Sequence, residues 1–224
     1  MTEASGTRAG AIAFTDIVGF TEFTAVQGDT EAIALLDRQE QLVRAALPSG
    51  ARIVKELGDG LLLWLPDAYP ALVAALDLLD RFAEAAQPTA LWVRIGMHWG
   101  CPTPRGDDIV GHDVNLAARI VDVAGPGELL LSDTVRTALD ATTALALRFD
   151  ELGPVVMRGI PEPVRLYRAS RSPKAPRRGS ERVDFQTPSR ATRGLVDREA
   201  SQFNPRLGAS VLSPSACRSR RVRT

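Results

Sequence analysis

The first apolar run, Ala11-Ile12-Ala13-Phe14, is short, continuous and followed at once by an acid, Asp16. That is how a strand buried on both faces reads. Residues 18–26 suit a short helix. Residues 30–47 suit a longer one, with Ile33, Leu36, Leu42 and Val43 at helical spacing, Asp29 available as N-cap and Pro48-Ser49-Gly50 as the stop. Residues 51–57 and 61–65 read as strands joined through Gly58-Asp59-Gly60, a strong hairpin signal. A helix over 67–86 carries Leu72, Leu76, Leu79 and Phe82 in its stripe and closes before Pro88. Residues 91–101 follow as a strand with Val93, Ile95, Met97 and Trp99 on one face. After a Pro/Gly/Asp loop at 102–111, a helix is expected over 114–123, ended by Gly125-Pro126-Gly127. A strand at 128–131, a helix capped by Ser132, and strands at 145–152 and 164–168 follow.

The opening order is strand, helices, strand, strand, helix, strand. It predicts an α+β fold of the ferredoxin-like (split βαβ) kind: an antiparallel sheet with helices packed on one face. In that topology the first strand lies beside the hairpin, so Asp16 and Asp59 are expected to meet. Two carboxylates pointing into one space are what a pair of hard divalent cations needs for phosphate chemistry.

Composition divides the chain. Its 224 residues have a formal net charge of +0, but from Arg171 onward 13 basic side chains face 4 acidic ones, a net of +9. The preceding 170 residues therefore carry −9. Residues 170–224 form a basic Arg/Ser/Pro-rich tail without periodicity, expected to be disordered. Residues 1–10 are expected to be a flexible N-terminus; they are polar and lack an apolar signal core. No apolar run approaches the roughly 18–20 residues of a membrane span, so a cytoplasmic protein is expected. Cys101 and Cys217 lie far apart without metal-ligand spacing, and His98 has no His or Cys partner at such spacing. His98 is read as a packing or backbone-bonded residue, and no Ser-His-Asp or Cys-His arrangement stands out.

Five blocks in order resemble the class III nucleotide cyclases, the adenylate/guanylate cyclase catalytic domain family. They are FTDIVGFT from Phe14, KELGDG from Lys55, RIGMHWG from Arg94, DIVGHDVNLAARI from Asp108 and GPGELLLS from Gly125. The resemblance covers about residues 11–168 and implies a catalytic domain over 11–169. It implies that Asp16, Asp59 and the carbonyl of Ile17 hold two ions, Mg²⁺ or Mn²⁺, per site. It places Gly19, Phe20 and the turn after them at the β- and γ-phosphates, where helix-start N–H groups suit an anion. Asn115 resembles the residue that orients the ribose, and Arg119 the arginine that offsets charge developing at the α-phosphate.

Lys55 and Asp108 match the family's two base-reading positions. A lysine donates to adenine N1 and a carboxylate accepts from the N6 amino group; guanine presents the reverse pattern. Together they imply ATP over GTP, although Asp107, adjacent to Asp108, leaves the register open. The resemblance also implies a homodimer, one partner giving the metal carboxylates and the other the base-reading and Asn/Arg residues. One departure stands out: Arg158 occupies the position of a lysine for the terminal phosphates. The expectation is therefore an adenylate cyclase making cyclic AMP and pyrophosphate. The alternative is a catalytically weak nucleotide-binding module of the same fold. A nucleic-acid binder using the tail ranks last, because an aromatic content of 5% offers no stacking platform.

Overall fold

Gly10–Val18 forms β1, an interior strand of the sheet paired on both sides. In the computed structural model, which describes residues 8–85, 92–140 and 145–172, it is followed by α1 (Phe20–Gln27), α2 (Asp29–Ala46), β2 (Arg52–Leu57), β3 (Gly60–Leu65) and α3 (Ala68–Ala85). Then come β4 (Trp92–Gly100), β5 (Thr103–Arg105), β6 (Asp108–Val110), α4 (His112–Val123), β7 (Leu129–Ser132), α5 (Asp133–Thr137), β8 (Leu147–Val155) and β9 (Val164–Arg171). The expected tail from residue 173 and most of the N-terminal segment lie outside the described residues. No described helix is long and apolar enough to cross a membrane.

The main sheet has seven strands in the order β2-β3-β1-β4-β7-β9-β8. Its first four strands are the antiparallel split βαβ core that the periodicities predict. β1 is buried almost throughout because side chains on both faces are covered, which accounts for its continuous apolar run. Ala11, Ala13 and Ile17 face a core shared with Val43 of α2 and with Leu72, Leu76 and Phe82 of α3. Ile12 and Phe14 face Val114, Ala117 and Val121 of α4.

Two details correct the sequence reading within the α+β class. Helices cover both faces, since α4 packs opposite α2 and α3. The sheet is also not wholly antiparallel: β4 and β7 run parallel, as a strand–helix–strand crossover requires. Within α2, Ile33 is exposed, whereas Gln39 is buried and donates from Nε2 to Thr15 Oγ1 at 3.2 Å. The residue at the start of α2 is Gly28, and Asp29 already belongs to the helix. The loop at 102–111 contains the small β5–β6 ribbon, whose turn begins at Gly106 with φ +62.

Candidate active site

β1 and β3 pair antiparallel with Thr15 opposite Leu61, so Asp16 and the Gly58-Asp59-Gly60 turn lie at the same end of adjoining strands. Thr15 Oγ1 accepts the Leu61 N–H at 3.2 Å and locks this end of the ladder. A Cβ on Gly60 would come 2.7 Å from the Thr15 carbonyl oxygen, so only glycine lets β3 start this close to β1. The two acids sense each other. Burial pushes the Asp59 carboxyl above its usual 3.8, its own backbone N–H pulls it back, the Asp16 charge raises it again, and Arg94 opposes that rise.

Arg94 was missing from the set of residues picked from sequence, although its block was recognised. It stands opposite Asp16 on β4, and its Nε donates to Asp16 Oδ2 at 2.6 Å. Its Nη1 reaches the carbonyls of Asp122 and Ala124, at 3.3 and 3.5 Å, at the C-terminal end of α4. One guanidinium therefore joins the acidic pair to the helix that carries Asn115 and Arg119. Only cross-strand register places it there, and the signal available beforehand was an arginine in an otherwise apolar strand.

Among the described residues no group of three or more His, Cys, Asp or Glu side chains could hold an ion. Two carboxylates at one strand end, one of them raised by burial and by its neighbour, still make a donor set whose mutual repulsion a divalent cation relieves. Such ions would be held by Asp16 and Asp59 as anionic ligands, with Arg94 as the charge now beside them.

The second site pair is on the same chain. Lys55 Nζ on β2 donates to Asp108 Oδ2 on β6 at 2.6 Å. The Lys55 hydrogen bond holds the Asp108 carboxyl below the usual carboxylate range against burial, helped by the Ile109 N–H. Of the two adjacent acids, Asp108 is the one whose side chain meets Lys55. Asp107 contributes its carbonyl, which accepts from Arg52 Nη1 at 2.7 Å, and Asp108 contributes its side chain. Arg52, also absent from the sequence-based set, thus holds the turn that presents Asp108.

Asn115 and Arg119 are exposed on one face of α4, and Arg119 Nη1 donates to Asp122 Oδ2 at 2.8 Å. Gly19 precedes α1 with φ 80, a left-handed conformation that glycine adopts freely, and Phe20 is the first helical residue. Arg158 is exposed in the turn between β8 and β9. Among the described residues, no hydrogen bond or ion pair joins Asn115, Arg119 or Arg158 to Asp16, Asp59, Lys55 or Asp108. Within one chain the predicted residues therefore form two clusters and a separate helix face. His98 is buried, as expected, but its partners are the side chains of Ser132, Thr134 and Asp113.

Residues 3–170 match the family of the adenylate and guanylate cyclase catalytic domain. The chain belongs to this family. A pH-sensitive adenylate cyclase of Mycobacterium tuberculosis is 36% identical over 176 residues, covering 78% of this chain and 43% of the relative. An adenylate cyclase of Streptomyces coelicolor is 37% identical over 128 residues, covering 55% of this chain and 32% of that protein. This cyclase-family chain thus spans less than half the length of these curated relatives. A solved adenylate cyclase from Trypanosoma brucei, studied in its monomeric state, superposes with TM-score 0.65 at 25% identity, covering 76% of this chain and 91% of that one. A guanylate cyclase domain from Catenaria anguillulae in complex with GTP shares the fold, with TM-score 0.66, 21% identity and coverage of 75% and 99%.

Proposed function

We propose that this cyclase-family chain converts ATP to 3′,5′-cyclic AMP and pyrophosphate at sites shared between two copies. The observation that carries the reading is the acidic pair: Asp16 and Asp59 at one end of the β1–β3 ladder, electrostatically coupled and faced by Arg94. Ring closure needs the ribose 3′-oxygen to lose its proton and attack the α-phosphorus while pyrophosphate leaves in line. Two divalent cations, Mg²⁺ or Mn²⁺, held by Asp16, Asp59 and the Ile17 carbonyl, supply when bound the charge that acidifies the hydroxyl and offsets the polyphosphate.

The chain's own groups do the rest. The start of α1 after Gly19 leaves N–H groups of Phe20 and the next residues for phosphate oxygens, since first-turn donors lack helical partners. Arg94 presents a planar fork beside the same acids and suits the outgoing phosphates. Asn115 and Arg119 of the partner orient the ribose and meet charge building on the α-phosphate. Arg158 would add a cation for the terminal phosphates.

ATP is favoured by Lys55 and Asp108. Their ion pair is about one-third exposed on each side, so parting it for a base costs on the order of 0–1 kcal/mol. Adenine then restores both bonds, donating from N6 and accepting at N1. Guanine leaves both groups mismatched, at a cost of about 1–3 kcal/mol per unsatisfied group.

A second reading, a nucleotide-binding module with negligible turnover, draws on the Arg94–Asp16 ion pair, which engages a metal ligand. Incubation of the purified chain with ATP or GTP and Mn²⁺, under single- and multiple-turnover conditions, separates the two. Cyclic AMP from ATP, with less product from GTP, is expected. Bound but unchanged ATP in a single turnover would select the inert module.

A further inference from the structure

Besides the Arg94 Nη1 contacts with the Asp122 and Ala124 carbonyls at its C-terminal end, α4 is pressed against β4 at two points. In its second half the contact is backbone on backbone: a Cβ on Gly96 would lie 2.2 Å from the Val121 nitrogen. Packing of this kind sets the separation of helix and strand. It does not by itself fix the helix along its own axis.

The second contact does. Asp113, in the first turn of α4, accepts the Cys101 N–H on Oδ2 at 2.7 Å and places Oδ1 3.6 Å from His98 Nε2. Its carboxylate fills the space above Gly100, where a Cβ would come 2.2 Å from Oδ2. Behind it, His98 Nδ1 lies 2.9 Å from Ser132 Oγ and 3.3 Å from Thr134 Oγ1, and the two hydroxyls are 2.8 Å apart. Ser132 stands at the N-cap of α5 but makes no side-chain cap bond there. The chain thus ties β4, β7 and α5 to the first turn of α4 through a histidine whose side chain is 7% exposed. The His98 imidazole holds the Asp113 carboxyl below the usual carboxylate range against burial, so the charged form is the one that fits.

Neither residue has a role in the proposed reaction, yet Asp113 lies two positions before Asn115 on the same helix. We propose that Asp113 and His98 are positioning residues that pin α4 axially and thereby set where Asn115 and Arg119 meet the substrate. This rests on the adenylate cyclase reading of those two residues. A polar pin is suited to the task because the 2.7 Å Cys101–Asp113 hydrogen bond tolerates displacements of only a few tenths of an ångström, with His98 3.6 Å away as the carboxylate's electrostatic partner, whereas apolar contacts slide.

Asp113→Asn keeps a hydrogen-bonding oxygen for Cys101 and removes the charge that faces His98. In the full chain it should lower kcat for cyclic AMP formation about 10- to 100-fold, the scale of an ångström-level misplacement, and change KM for ATP less than about threefold. In an Asn115→Ala/Arg119→Ala background the same substitution should have no further effect, because nothing remains to be positioned. His98→Gln, which loosens the pin from the other end, should reproduce both results. An equal loss in both backgrounds, or an unchanged kcat in either single variant, overturns the proposal.

If the parent chain itself makes no cyclic nucleotide, the adenylate cyclase reading fails and the pin is judged by amide hydrogen exchange. Asp113→Asn should speed exchange across residues 112–116 by about tenfold or more while leaving β1 unchanged. Identical exchange in parent and variant sinks it.

Discussion

Asp113 has a consequence for stability that is separate from its effect on catalysis. Its carboxyl is held low chiefly by His98, with the Cys101 N–H adding to that and burial opposing it. A carboxylate with a depressed folded pKa contributes stability that is fully present above its unfolded value and lost as pH falls through the folded one. The stability gap between parent and Asp113→Asn should therefore be open near pH 7 and close as pH drops below about 4. Urea midpoints across that range measure it, and a gap of constant size would mean that the charge contributes nothing. At the proposed base-reading pair, Lys55→Glu with Asp108→Cys should shift the ATP/GTP ratio of kcat/KM toward GTP by about tenfold, the equivalent of one mispaired group. An unaltered ratio would move base reading elsewhere. The sequence pointed to Lys55 and Asp108 but could not separate Asp108 from Asp107. That distinction depends on which side chain meets Lys55, and in the fold it is Asp108, while Arg52, on the same strand as Lys55, takes the Asp107 carbonyl.

The elements were legible where periodicity was long and blurred where it was short. α3 shows its Leu72, Leu76 and Phe82 stripe as the spacing implied. β5 and β6 are three residues each, too short for any alternation to register, and were read as loop. Ile33 leaves the stripe that its spacing predicts and Gln39 is buried, because hydrophobicity cannot report that Thr15 takes a hydrogen-bond partner from this helix. The face taken by α4 was likewise hidden, since an amphipathic stripe says that a helix is buried but not against which side of a sheet. What selects that side is visible in a single glycine. An alanine at Gly96 places its Cβ 2.2 Å from the Val121 nitrogen and 2.6 Å from its Cα, both rigid helical backbone, so strand and helix must part. Gly96→Ala should destabilise the chain by about 1–3 kcal/mol in urea unfolding, the usual range for overpacking. A loss under about 0.5 kcal/mol, the level of a neutral surface change, would show that α4 retreats at no cost and that the close approach is incidental.

Assembly is where the separate clusters acquire meaning. One chain brings Asp16 to Asp59 and Lys55 to Asp108, but it joins neither pair to Asn115 or Arg119 by a hydrogen bond or ion pair. Two identical chains related by a twofold axis can supply each site with acids from one copy and helix residues from the other. This makes a quantitative forecast for two variants, Asp16→Ala and Arg119→Ala, each expected to be nearly inactive alone. When they are mixed in equal amounts and allowed to exchange, half of the dimers contain one of each. In such a dimer both lesions fall in the same site and the other site is intact. Activity should therefore return to about one-quarter of the parent value, one functional site in half of the dimers. If the acids and Arg119 acted within a single chain, every site in the mixture would carry one lesion and the mixture would remain as inactive as its components. Assay of each variant before mixing distinguishes real restoration from contamination: a trace of parent-like enzyme would already be active there, whereas restored activity appears only after exchange and falls on dilution as dimers dissociate.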